Sequence, residues 1–363
     1  MQLADRVIIW PRERTGMSFS RSALPLSRRM WGKITRSAGD MRRYAMEFSI
    51  RPKGPFNLDL TLQRYRLFGD DAAHAYSDGV YRRVIEIDGR LWVYALCTGG
   101  TVAEPVIQVQ ILGGLAQAQH RCAVEAEVQR SLSLDIDLEP FYRWGAADSA
   151  LAQLIARCDG MRPPRAPSLF EALVTSISAQ QVNLAFATTT RSRLIKRFGA
   201  SVTIDGRTFY GFPTPQSLAQ ATLQELRDMQ FSWRKAEYMV NLARLVTSGE
   251  LRFEEFPPLS NDEIIERITQ VKGLGRWTAD WLLARGLGRG DVIAAGDLGV
   301  RKAVGRFYFN GQTPSIEEVR TFAAGWGAFQ SLTVHYLLAG LRLPDLLPTT
   351  LSPTPAQQPR KRS

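Results

Sequence analysis

Val271-Lys272-Gly273-Leu274-Gly275 runs directly into Arg276-Trp277-Thr278-Ala279-Asp280-Trp281, and Ala295-Gly296-Asp297-Leu298 follows about twenty residues later. A Gly-x-Gly hairpin that opens a helix presents bare backbone N–H groups and the positive end of a helix dipole, surroundings suited to a phosphate. Asp297 supplies a carboxylate able to stabilise positive charge developing on a ligand held there, or to orient a water toward it. An isolated Asp ahead of an apolar helix has a second, structural explanation as an N-cap. Trp277 and Trp281 stand four apart and share a helix face, and Trp326 and Phe329 stand three apart on a later one. Such pairs usually fill cores; facing a pocket, the same rings attract a planar cation.

Around these residues the pattern predicts helices. Ser260-Asn261-Asp262-Glu263 is a capping-box signature for the first helix of the hairpin unit, and Gly286 fits the stop of the second. Ser168-Leu169-Phe170-Glu171 repeats the box after the Pro-rich turn at 162–167, and that helix would end near Gln180-Gln181. Helical patterns dominate to about Leu343, whereas residues 47–114 look β-like. Val84 to Tyr94 forms two strands around Asp88-Gly89, Val106 to Leu112 a further strand, and Leu58 to Phe68 either a short helix or a strand pair.

At 363 residues, with 45% apolar and 22% charged content, the chain can bury two sizeable cores, and it holds no apolar run of the ~20 residues a membrane helix needs. Its net charge of +11 is concentrated at the ends: residues 1–46 contribute +7 and Arg360-Lys361-Arg362 +3, leaving +1 for the rest. A nucleic-acid surface on the body would therefore be a local basic face. Residues 1–46 read either as a disordered basic extension or as a mis-assigned start with Met41 or Met46 the true first residue, and the Pro-rich stretch 346–363 as a disordered tail. Cys97, Cys122 and Cys158 suit neither a disulfide framework nor a metal site, and His74, His120 and His335 lack ligand spacing.

Hairpin, aromatic-rich second helix and Gly-Asp at this spacing together resemble the helix-hairpin-helix, Gly/Pro-Asp superfamily of DNA glycosylases, especially its 3-methyladenine DNA glycosylase II branch. The resemblance spans about residues 47–348 and is closest over 168–181 and 260–303. It implies an α+β fold: a small antiparallel α+β domain at 47–114, then an all-α helix-hairpin-helix core at 115–345. Asp297 is by resemblance the catalytic acid residue. Trp277 occupies the position where the lyase branches carry a nucleophilic Lys, which implies a monofunctional hydrolase that leaves an abasic site. Trp277, Trp281, Trp326 and Phe329 would line the base pocket. Gln180 and Gln181 would enter the duplex, Gln181 as the wedge behind a flipped nucleotide. Gly273, Gly275 and Arg276 would hold a phosphate with Lys272 on the same side, and Ser232, Arg234 and Lys235 resemble a second DNA-touching turn. No cofactor is implied beyond a monovalent cation at the hairpin carbonyls. The four-cysteine iron–sulfur motif of other branches has no counterpart after Asp297. The expected partner is double-stranded DNA with a damaged base, 3-methyladenine or 7-methylguanine, bound by a monomer in the cytoplasm at the nucleoid. An oxidised-guanine glycosylase/lyase and a noncatalytic DNA-binding module are the alternatives.

Overall fold

The computed structural model describes residues 46–69 and 71–342; the expectations for both chain ends lie outside them, apart from Met46, which begins the first strand. Strands β1 (Met46–Ile50), β2 (Ala75–Ser77), β3 (Val80–Ile87), β4 (Arg90–Gly100) and β5 (Pro105–Leu112) form one antiparallel sheet in the order β1-β5-β4-β3-β2. The β3–β4 turn is the expected Asp88-Gly89, both at positive φ (52° and 72°), as a two-residue hairpin of matching twist requires. Trp92, Tyr94, Leu96, Ile107, Val109 and Ile111 pack against Val124 and Val128 of α3 (Ala118–Ser131) and Leu132, the residue that follows it. Leu58 to Phe68 resolves as two short helices, α1 (Leu58–Leu62) and α2 (Arg64–Leu67), rather than strands.

The helical part comprises α4 (Glu139–Gly145), α5 (Ser149–Arg157), α6 (Leu169–Ala179), α7 (Leu184–Phe198), α8 (Pro215–Ala219), α9 (Leu223–Asp228), α10 (Trp233–Ser248), α11 (Asn261–Thr269), α12 (Arg276–Leu282), α13 (Leu298–Tyr308), α14 (Ile316–Ala324) and α15 (Gln330–Arg342). One core joins α6, α7 and α10–α12, and a second joins α4, α5 and α13–α15. This part, expected to be all helical, also carries a hairpin of β6 (Ser201–Ile204) and β7 (Arg207–Tyr210). Ile204 and Phe209 close on Val84 and Val93, covering the sheet's second face. Its turn, Asp205-Gly206, carries the same signal as Asp88-Gly89.

Two capping expectations need correction. Ser168 caps α6 by accepting from the Glu171 N–H (3.1 Å), but the Glu171 side chain does not reach back. It is buried instead, bonded to Arg83 (2.6 Å) and His74 (2.8 Å) of the sheet domain. Gly286 does not end the hairpin's second helix: α12 continues through a π-helical turn, Leu283–Leu287, to Gly288 at φ +74°. Gly286 lets that turn pack closely, since a Cβ there would meet Leu169 at 2.7 Å. The Ser260–Glu263 box forms in full.

Sheet and helical parts are joined by buried polar groups. Arg162, fully buried, donates to the carbonyls of Ser133, Ile136, Lys53 and Pro55, so that one guanidinium satisfies loops from both sides. Arg191 of α7 pairs with Asp71 at 2.7 Å, beside the Glu171–Arg83–His74 group. Between the parts lies a cavity of about 780 Å³, walled by α2, α6, α12 and α15.

Candidate active site

Asp297 stands at the N-terminus of α13, and the N-cap and functional readings of this residue prove to be one arrangement. Oδ1 accepts from the backbone N–H groups of Gly299 (2.8 Å) and Val300 (3.1 Å). Oδ2 accepts from the indole N–H groups of Trp277 (2.9 Å) and Trp281 (3.2 Å). The cap fixes the carboxylate against its helix, and the i, i+4 spacing on α12 puts both indoles on its other oxygen. All three side chains line the cavity, with Tyr65 of α2, Phe68 just after it, and Leu338 and Ala339 of α15 among the other lining residues. No lysine lines it among the described residues.

The hairpin before α12 has the conformation its glycines imply. Gly273 is at φ +90°, and a Cβ there would lie 2.2 Å from the Tyr238 ring. Gly275 is extended and caps α12 with nothing within 4 Å of a would-be Cβ, so its backbone is open to an incoming group. A cation at this turn would need carbonyls with a spare lone pair. Val271 O accepts from Leu274 N–H and Gly273 O from Gln180 Nε2 (3.0 Å), so each retains one lone pair and the turn fits the group.

The family model for HhH-GPD superfamily base excision DNA repair proteins matches residues 174–328. A DNA-3-methyladenine glycosylase of Bacillus subtilis is 31% identical over 204 residues, 56% of this chain and 67% of that protein. DNA-3-methyladenine glycosylase 2 of Escherichia coli is 26% identical, over 65% of this chain and 77% of its own length. The solved 3-methyladenine DNA-glycosylase from Archaeoglobus fulgidus superposes with a TM-score of 0.73 at 33% identity, covering 82% of this chain and 99% of that one. The chain belongs to the HhH-GPD superfamily. It is a DNA glycosylase of that superfamily, and its helix-hairpin-helix is α11, the Gly273–Gly275 turn and α12.

Several of the expected site residues lie elsewhere in this HhH-GPD fold. Trp326 and Phe329 do not line the cavity. Trp326 is buried against Tyr308 and Phe322, and Phe329 packs on Phe141 and Trp144, so both belong to the second helical core. Their three-residue spacing runs through Gly327 at φ +53°, outside the helical region, so Trp326 and Phe329 do not stand on successive turns of one α-helix. Arg276 folds back onto Asp280 (2.8 Å) and Lys272 pairs with Glu237 (2.6 Å), so neither side chain is held toward a phosphate site. Ser232 caps α10, Arg234 is exposed, and Lys235, its pKa lowered by burial, donates to Ser178 O (3.0 Å). Gln180 is committed to the hairpin, whereas Gln181, at φ +54°, lies exposed on the cavity rim with no side-chain hydrogen bond among the described residues.

Sequence reasoning missed Arg64, Tyr65, Phe68, Arg285, His335 and Arg342, which also line the cavity. Tyr65 and Phe68 carried one weak signal, their three-residue spacing on a possible helix. Arg64, Arg285 and Arg342 come from helix ends and His335 from the middle of α15, and they meet only in the folded molecule.

Proposed function

We propose that this glycosylase flips an alkylated purine out of double-stranded DNA and hydrolyses its glycosidic bond without cutting the backbone. The observation that carries the reading is the Asp297 carboxylate, held by two backbone and two indole N–H groups at a cavity large enough for a base. Cleavage leaves C1′ with oxocarbenium character, which a fixed carboxylate stabilises while orienting the water that attacks it. A methylated purine is itself cationic and suits an aromatic wall. The Trp277 ring, with no guanidinium over it among the described contacts, is the face open to it. Gly275 and the following N–H groups would hold a phosphate, and Gln181 would fill the space the base leaves. A single chain supplies every group, and no step needs a cofactor.

The test is release of 3-methyladenine and 7-methylguanine from duplex DNA, with the strand examined before and after alkali. Free base together with alkali-dependent nicks is the expected result. Efficient borohydride trapping of a protein–DNA adduct would overturn the hydrolytic mechanism, because it requires an amine nucleophile. Asp297→Asn should lower release by about 10² or more while abasic-site binding persists; release at the wild-type rate would remove Asp297 from the mechanism.

A further inference from the structure

Gln181 stands one residue beyond the C-cap of α6 with φ at +54°, a left-handed backbone that is costly for any residue carrying a Cβ. Such a conformation persists where the surroundings over-determine it. The residues just before Gln181 are held from two sides. Gln180 donates from Nε2 to Gly273 O (3.0 Å), which ties the end of α6 to the hairpin turn. Lys235 of α10 donates from Nζ to Ser178 O (3.0 Å), one of the last-turn carbonyls that a helix leaves without an N–H of its own.

A third contact closes the figure. Gly273 lies against the ring of Tyr238, three residues after Lys235 on α10, so closely that a Cβ would come within 2.2 Å of it. The end of α6, the hairpin turn and the first turns of α10 are therefore joined pairwise. Lys235 is half-buried and its ammonium is engaged by a protein carbonyl at the negative end of a helix, whereas Arg234 beside it is exposed. None of these bonds involves Asp297, whose carboxylate partners all belong to α12 and α13.

We propose that Gln180 and Lys235 are positioning residues that fix Gln181 relative to the hairpin, and that they serve extrusion of the nucleotide and not cleavage of its glycosidic bond. This rests on the glycosylase reading above, in which the backbone at Gly275 holds a phosphate and Gln181 fills the space the base leaves. A side chain can replace a departing base only if it enters at a set distance from the strand being gripped. The joined elements set that distance, because Gln180 anchors the residue next to Gln181 onto the turn that ends in Gly275. Without either bond the end of α6 is free to shift against the hairpin while the Asp297 carboxylate keeps its partners. A nucleotide that is unpaired from the start has little need of the wedge.

The experiment measures single-turnover release of 7-methylguanine by wild type, Gln180→Ala and Lys235→Met from two duplexes, one with the lesion opposite cytosine and one with it in a single-nucleotide bulge. Both positions are only half-buried, and the two variants remove the two bonds independently, so either one that folds carries the test. The expected result is a fall of about tenfold for the paired lesion, the loss of one charge-assisted or well-placed hydrogen bond, and of less than about threefold for the bulged one. Equal losses on both duplexes, or no loss on either, overturn the proposal. Salt dependence supplies a readout that a role in stability alone would not move: the slope of log affinity against log salt for lesion-free duplex should be the same in Lys235→Met as in wild type. A slope shallower by about 0.9 would make Lys235 a phosphate contact and overturn its positioning role. A wild type that releases the base from neither duplex overturns the glycosylase reading itself and this proposal with it.

Discussion

At the scale of single residues, Asp297 shows why one sequence signal carried two explanations. Its N-cap bonds use Oδ1 and its indole bonds use Oδ2, so capping and presentation of the carboxylate coexist. The indole contribution can be separated from the bulk of the rings. Trp281→Phe keeps an aromatic wall and deletes only the 3.2 Å donor to Oδ2, leaving Trp277 as the remaining indole partner. A hydrogen bond to a charged group contributes about 1.5–3 kcal/mol. Base release by Trp281→Phe should therefore fall roughly tenfold or more, with stability less affected than release. A variant as active as wild type would show that the indole N–H does not orient the carboxylate. Asp297, Trp277 and Trp281 were legible because the residues that make the site are close in sequence. Trp326 and Phe329 misled because the spacing rule was applied beyond the helix that justifies it.

At the scale of the elements, the two hairpin glycines have different duties. Gly273 needs its positive φ and its missing Cβ, because Tyr238 occupies the space a side chain would take. Gly275 has ordinary extended backbone with open space in front of it. Gly273→Ala should lose more than about 2 kcal/mol of folding stability, from backbone strain and the clash together. Gly275→Ala should stay within about 1 kcal/mol of wild type yet bind lesion-free duplex more weakly. Thermal melts and salt-matched binding isotherms separate the two effects; equal loss of stability by both would refute the assignment of separate roles. The hairpin and its capping box were readable because their bonds are local. Glu171 obeyed the same local rule and then left it, because Arg83 and His74 from another domain offered its carboxylate charge-assisted partners in place of one exposed N–H. The β6–β7 turn was as plain in sequence as Asp88-Gly89, but a run of helical patterns around it hid it.

At the scale of the whole molecule, the two parts meet through buried charge, and that makes their union sensitive to acid. Burial raises the Asp71 and Glu171 carboxyls, but Arg191 and Arg83 outweigh it and hold both below the usual carboxylate range. Their contribution is present above the ordinary carboxylate pKa of about 4 and is lost as pH falls below it. Burial, with Arg83 beside it, holds His74 below its ordinary value, and His335 is shifted the same way by burial and Arg285. The unfolded chain takes up these two protons near pH ~6.5 while the folded protein stays unprotonated, so stability should decline from there at up to about 1.4 kcal/mol per pH unit for each histidine. Urea melts between pH 8 and 3 should show a plateau above about 7, then that decline, then a steeper carboxylate loss below about 4. Glu171→Gln should cost about 3–5 kcal/mol at pH 7 by leaving Arg83 with only Glu127 at 3.2 Å, and it should also weaken the final acid step. A wild-type urea midpoint that stays flat from pH 7 to 4.5 would show that the histidines are not held neutral in the folded state, and a midpoint that stays flat from pH 4.5 to 3 would show that the buried carboxylates do not clamp the two parts together.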